Sequence, residues 1–353
     1  MKNPIRVLSI DGSAFFRKVL AEILGHRGDI NLVGCANDAY SAREHIRAQP
    51  VDVLTLDLDL PRMTGLTFLK LLMEHKPMPV VVLSSTTPTG SQRAVEALIA
   101  GAAAVIEKPK SLAEKSHFSE NLVNVIKKVA AAPMRRHRTG RLKRSATIPL
   151  TSVPVYNSRR IIAIGASTGG TQALEEVLAK LPNNLPGIVV VQHIPAGFSA
   201  RFATRLNKVC AMEVREAKNG DMVRSGLALI APGDRHIEVQ WLQDHYRIRL
   251  HDGLRVEHQR PSVDVLFKSL AACADRHAVA VLLTGMGQDG AAGMKELHDL
   301  KAHTIVQDAG SSVVYGMARK AVELNAVDSI VPLENLADKI LKALEPRPIP
   351  TRP

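Results

Sequence analysis

Short runs of β-branched and aliphatic residues recur along this chain, and between them lie segments with apolar residues at helical spacing. Runs of that kind are strands buried on both faces, and strand–helix alternation is the pattern of a parallel sheet covered by helices. In the first 126 residues the runs fall at 6–11, 30–36, 51–57, 79–85 and 103–108, with helices expected at 14–26, 39–48, 65–75 and 91–100. The pattern resumes with apolar runs at 161–166, 187–192, 278–283 and 303–308 and helices at 171–180, 262–277 and 291–300. Segments 213–217, 226–240 and 246–251 alternate more freely and read as an antiparallel excursion. The expected fold class is therefore α/β twice over. A doubly wound five-stranded parallel sheet comes first, then a unit with a mostly parallel sheet and a short antiparallel excursion.

A chain of 353 residues has room for two such cores. The formal charge of +12 raises nucleic acid as a partner, but its distribution argues against it. No Asp or Glu occurs from Asn121 to Leu174, while ten Lys and Arg residues fall there, so most of the excess sits in one connecting stretch. That stretch lacks aromatic platforms for bases apart from Tyr156, and reads as a solvated linker with no nucleic-acid role. The expected division is a first domain at 3–126, a basic linker at 127–158, a second domain at 159–346 and a tail at 347–353. No apolar run is long enough to cross a bilayer and the first residues lack a secretory core, so a cytoplasmic protein without membrane insertion is expected. Cys35, Cys210 and Cys273 lack metal or disulfide spacing and read as buried free thiols.

The run at 161–166 leads into Gly165-Ala-Ser-Thr-Gly169 and a helix. A serine on such a turn presents its hydroxyl at the carboxyl end of the strand, beside the free N–H groups that open the helix. A phosphate-cradling loop is the alternative, although no Gly-Lys-Ser/Thr follows. Two further strands end on residues that complete a hydrolytic set: His193 after 187–192, and Asp289 in the glycine-rich turn after 278–283. In an open parallel sheet such ends converge on one crevice, so Ser167, His193 and Asp289 are the candidate nucleophile, base and orienting acid. Asp234 with His236, and Asp308, follow no fully apolar strand and read as turn and surface residues.

In the first domain Asp11, Asp57, Ser84 and Lys108 also stand at strand ends. Two carboxylates, a lysine and a hydroxyl on one edge can hold Mg²⁺ and a phosphoryl group. This arrangement resembles a response-regulator receiver domain, a flavodoxin-like fold, through Ile10-Asp-Gly-Ser13, Leu56-Asp-Leu-Asp-Leu-Pro-Arg-Met-Thr-Gly65, Ser84 and Lys108-Pro109. The resemblance implies phosphorylation of Asp57 by a histidine kinase, Ser84 as switch hydroxyl, a Mg²⁺ site at Asp11, Asp57 and Asp59, and a cis peptide before Pro109. Gly12 stands where receivers of this type carry a second acid, which removes a metal oxygen unless Asp59 or water replaces it. Val105 occupies the aromatic switch position.

The whole chain resembles the CheB-type chemotaxis protein-glutamate methylesterase family. The matching motifs are Ile164-Gly-Ala-Ser-Thr-Gly-Gly-Thr171, Gln192-His-Ile-Pro195, Ala231-Pro-Gly-Asp234 with His236, Arg260-Pro-Ser-Val-Asp-Val-Leu-Phe267, Leu283-Thr-Gly-Met-Gly-Gln-Asp-Gly-Ala-Ala-Gly293, Gln307-Asp308 and Val314-Tyr-Gly-Met317. The resemblance implies hydrolysis of glutamate γ-methyl esters, and deamidation of glutamines, on the cytoplasmic helices of chemoreceptors, with no cofactor for the ester chemistry. It places the oxyanion hole at the Met286 backbone and near Thr168, whose alternative role is a helix N-cap. Arg260 reads as a solvated arginine, with contact to an acidic receptor helix as the alternative. Two other classes compete: a DNA-binding response regulator, hard to square with so large an effector, and a non-catalytic scaffold.

Overall fold

The computed structural model describes residues 3–25, 27–84, 88–109, 111, 114–130 and 159–345, without the side chains of 88–92. The linker from 131 onward and the tail at 347–353 lie outside the described residues. The chain divides into two compact units, 1–139 and 140–353.

The first unit runs β1 (Ile5–Ile10), α1 (Ala14–Gly25), β2 (Ile30–Ala36), α2 (Ala39–Ala48), β3 (Val53–Asp57), α3 (Gly65–His75), β4 (Val80–Ser84), α4 (Pro88–Ile99), β5 (Ala104–Glu107) and α5 (Lys115–Ala130). The strands order as β2-β1-β3-β4-β5, all parallel, as strand–helix alternation requires. β3 and β4 are buried along their whole length, consistent with helices on both faces. α2 opens on a capping box in which the Asp38 carboxylate accepts from the Tyr40 and Ser41 N–H groups. α5 carries the helix four residues past the expected end of the domain, with Phe118, Leu122, Ile126 and Val129 turned into the core. Cys35 faces solvent on edge strand β2, contrary to the expected buried thiol.

The second unit runs β6 (Ile161–Ala166), α6 (Gly170–Lys180), β7 (Ile188–Gln192), α7 (Ser199–Val209), β8 (Glu213–Glu216), β9 (Met222–Val223), β10 (Leu227–Ile230), β11 (His236–Leu242), β12 (His245–His251), α8 (Val263–Cys273), β13 (Ala278–Leu282), α9 (Ala291–Asp299), β14 (His303–Gln307), α10 (Met317–Glu323), β15 (Ser329–Val331) and α11 (Leu336–Leu344). Seven strands form one parallel sheet in the order β15-β14-β13-β6-β7-β10-β8, and β11, β12 and β9 form a small antiparallel sheet. Two segments expected in the antiparallel excursion thus belong elsewhere. β8 and β10 pair in parallel at one end of the main sheet, and the Pro232-Gly233 turn splits β10 from β11. β6, β7 and β13 have no exposed residue.

Strand order decides where a site can form. The chain builds outward from β6 through β7 and then crosses back to place β13 on β6's other side. At such a reversal open α/β sheets place their sites, at the carboxyl ends of the strands.

Candidate active site

Parallel register brings the ends of β6, β7 and β13 level: Gly165 lies opposite Leu282, and Ala166 opposite Gln192. Ser167, His193 and Asp289 therefore leave the sheet at one edge. The Ser167 backbone is fixed from three sides. Its N–H donates to Thr284 O at 3.0 Å, and its carbonyl accepts from Gly170 N at 2.7 Å and Gln192 Nε2 at 2.9 Å. The turn closes through Gly169 at φ +78°, where a Cβ would stand 2.6 Å from the side chain of Val313. Gly169, without a side-chain cap, is the N-cap of α6, so the N-cap role considered for Thr168 is not realised.

His193 is tied to this turn through its own N–H, which donates to Ala166 O at 3.1 Å. Its Nε2 meets Asp289 Oδ2 at 2.7 Å, while Nδ1 is buried and has no hydrogen-bond partner. Asp289 is 2% exposed and accepts three more bonds: Ser262 Oγ at 2.7 Å and Asp264 N at 3.0 Å on Oδ1, and Val263 N at 2.8 Å on Oδ2. Two of these donors are first-turn N–H groups of α8, so the carboxylate sits on the positive end of a helix. Burial alone would push Asp289 up, but the His193 bond and charge, the Asp264 N–H and the Ser262 hydroxyl together hold it below the ordinary carboxylate range. An ionised Asp289 accepts at His193 Nε2, the ring nitrogen opposite the unpartnered Nδ1. No hydrogen bond joins Ser167 Oγ to His193 Nδ1.

Around this set lie residues that pattern reading did not single out. Ser262 and the α8 N-terminus hold the acid, and Asp264 clips α8 to α9 by accepting from Gly293 N at 2.7 Å. Burial, reinforced by the neighbouring Asp289 charge against the Gly293 bond, raises Asp264 to about 6. Arg260 is not a solvated arginine: it bonds Asp234 Oδ1 at 3.0 Å and the carbonyls of Asp252 and Gly253 at 3.1 Å each. His236 is no surface residue either, being 1% exposed, with Nε2 donating to Leu254 O and Nδ1 accepting from Ser262 N. Asp308 is the turn residue expected, accepting from Ser311 N and Oγ. The Met286 and Thr168 N–H groups have no acceptor among the described residues. Gly285 packs so closely that a Cβ there would lie 2.8 Å from Ser167 Cβ.

In the first unit, pairing of Asp57 with Leu83 and Ser84 with Glu107 levels the strand ends in the same way. Lys108 Nζ bridges Asp11 Oδ2 at 2.7 Å and Asp57 Oδ2 at 2.9 Å, and Ser84 is buried beside them. Burial raises Asp57, opposed by Lys108 and assisted by the charge of Asp11. The Asp59 carboxylate, by contrast, is 59% exposed and paired with Arg93. Asp11 Oδ1 accepts from Ser13 N and Asp57 Oδ1 from Asp59 N, so both pocket acids are engaged by protein donors. Among the described residues no three acidic, His or Cys side chains gather in one place, and Asp59, turned onto Arg93, does not join Asp11 and Asp57 as the third acid of the expected Mg²⁺ set. The cis peptide expected before Pro109 is likewise not found; the cis bond among the described residues is Arg260–Pro261.

An acid–lysine pocket on a five-stranded sheet, joined in one chain to a serine, imidazole and carboxylate at a sheet reversal, defines a response regulator with a hydrolase effector. Comparison with known proteins agrees. Residues 7–116 match the response regulator receiver domain family, and residues 162–340 match the CheB methylesterase family. The chain is 45% identical over 341 residues to Protein-glutamate methylesterase/protein-glutamine glutaminase 2 of Pseudomonas aeruginosa, covering 96% of this chain and 97% of that one. It is 43% identical over 341 residues to the Salmonella typhimurium protein of that name without the numeral, with the same coverage. The crystal structure of the Thermotoga maritima CheB methylesterase catalytic domain superposes with a TM-score of 0.51 at 34% identity, over 52% of this chain and 97% of that one. The chain belongs to the CheB methylesterase family.

Proposed function

We propose that this chain hydrolyses glutamate γ-methyl esters on the cytoplasmic helices of chemoreceptors, and deamidates glutamines there, under control of phosphorylation at Asp57 by a histidine kinase. Ser167 Oγ attacks the ester carbonyl carbon as His193 Nδ1 takes its proton, and Asp289 balances the imidazolium through Nε2. The oxygen that gains charge turns to the free N–H groups of Met286 and Thr168; one such donor is worth about 3 kcal/mol of barrier. The carbon–methoxy bond then breaks, and His193 returns its proton to the leaving methanol. Water repeats the cycle on the acyl-serine, releasing the glutamate carboxylate; a glutamine substrate loses ammonia in place of methanol.

The observation that carries this reading is the His193–Asp289 bond, with Asp289 seated on the α8 N-terminus and the His193 N–H held by Ala166 O, next to Ser167. In the first unit, Lys108 between Asp11 and Asp57 supports Asp57 as the phosphorylated group. No helix of the described residues is long and apolar enough to cross a membrane. Methanol release from methylated receptor membranes tests the assignment. Wild type should release methanol and Ser167→Ala should not; equal rates from the two would overturn it.

A further inference from the structure

The receiver pocket combines two features that receiver architecture does not by itself demand. Position 12 is glycine, and the nearby acid that could stand in, Asp59, is turned outward onto Arg93. A Cβ built on Gly12 would point at the Asp59 carbonyl oxygen, 3.1 Å away, on the edge where Asp57 receives the Asp59 N–H. A carboxylate there would join Asp57 and that carbonyl as a set of hard oxygens; glycine offers none. The cations already present lean the same way. Lys108 sits on both remaining carboxylates and over the Phe16 ring at 4.6 Å, and Arg17 donates to the Asp11 and Gly12 carbonyls at 2.8 and 3.1 Å. Mg²⁺ sheds water reluctantly and needs several oxygens in near-octahedral array, so two carboxylates already bonded to an ammonium are a poor exchange for its hydration shell.

We infer that this receiver has lost its divalent-cation site through Gly12, that Lys108 is the pocket's resident cation, and that a carboxylate at position 12 restores the metal. The inference concerns the receiver half alone, so its failure and failure of the esterase reading are separable. Both pocket acids remain in place for phosphorylation, and the countercharge they meet is the Lys108 ammonium.

The test is isothermal titration of the full-length protein with MgCl₂ alone, in wild type, Gly12→Asp and Asp57→Ala, with thermal unfolding to confirm that each is folded. Wild type should show no saturable binding that Asp57→Ala abolishes up to about 20 mM, and Gly12→Asp should gain at least about tenfold in affinity. Binding that survives Asp57→Ala lies elsewhere on the chain and agrees with an empty pocket. Saturable wild-type binding below about 20 mM that Asp57→Ala removes would overturn the inference, as would a folded Gly12→Asp with no gain. Because the Asp59 carbonyl must yield a few tenths of an ångström to any Cβ, Gly12→Asp could fail to fold. The wild-type and Asp57→Ala titrations then decide the question between them, with Mg²⁺-dependent rise in unfolding temperature as the second readout.

Discussion

Replacing Asp289 by asparagine keeps the side chain's shape while removing its charge, and the surrounding donors set the cost. Oδ1 faces Ser262 Oγ and Asp264 N; Oδ2 faces His193 Nε2 and Val263 N. An amide placed with its nitrogen on the Oδ1 side can donate to a rotated Ser262 hydroxyl but meets the Asp264 N–H head on. Reversed, it can donate to His193 only if the imidazole moves its proton to Nδ1, and then meets the Val263 N–H. Either way one fixed backbone N–H is stranded in a buried site, at about 1–3 kcal/mol, and α8 loses an anion at its N-terminus, worth about 0.3–2 kcal/mol. The sum is roughly 1–5 kcal/mol, or about 3–20 °C in the unfolding transition of a unit this size. Catalysis should suffer more, because the imidazolium loses its counter-ion and one orientation of the amide blocks Nδ1 as base; about 10³–10⁴-fold is the scale for such a change. Calorimetry beside methanol release checks both. Activity within tenfold of wild type in a folded Asp289→Asn protein, or an unchanged unfolding temperature, would refute the reasoning.

Gly285→Ala should leave a folded protein with methanol release reduced on the order of 10²-fold, because the Met317 sulfur can move from the new methyl but Ser167, bonded to Thr284 and Gln192, cannot do so without leaving its position. A normal rate would show that Ser167 is not so confined. Asp264, raised to about 6 by burial and by Asp289, favours the folded state while protonated; that contribution is complete below the ordinary 3.8 and fades as pH climbs through 6. Wild type should therefore lose more thermal stability than Asp264→Asn between pH 5 and pH 7.5, and parallel pH profiles would dismiss the effect.

The elements legible in the sequence were those whose pattern is set by their own residues. A strand buried on both faces must be apolar throughout, so β3, β4, β6, β7 and β13 announced themselves, and with them the strand-end positions of Asp57, Ser167, His193 and Asp289. β8 misled because Glu213-Val-Arg-Glu at a sheet edge is only half covered, and its alternation imitates an antiparallel strand. The all-apolar β10 carried the opposite cue, obscured by reading 226–240 as one segment. Ser262, Asp264, Arg260 and His236 were not legible as parts of the site, since their roles come from contacts across 25 or more positions: Asp264 to Asp289, Arg260 to Asp234, Ser262 to His236. Asp59 entered as a metal ligand through the receiver resemblance, as a stand-in for the acid missing at Gly12, and only the fold gives it to Arg93.

The acid beneath His193 is also the plug in the mouth of a helix, which makes the two ways of silencing this protein unlike one another. Damage at Asp289 loosens the scaffold and exposes the chain to the cell's proteases, so the lesion removes itself. On the proposed reading, damage at the Ser167 hydroxyl should spare the scaffold and leave an intact, inert molecule able to occupy the same targets as its working sibling. In a cell holding both forms the second lesion should act dominantly and the first recessively.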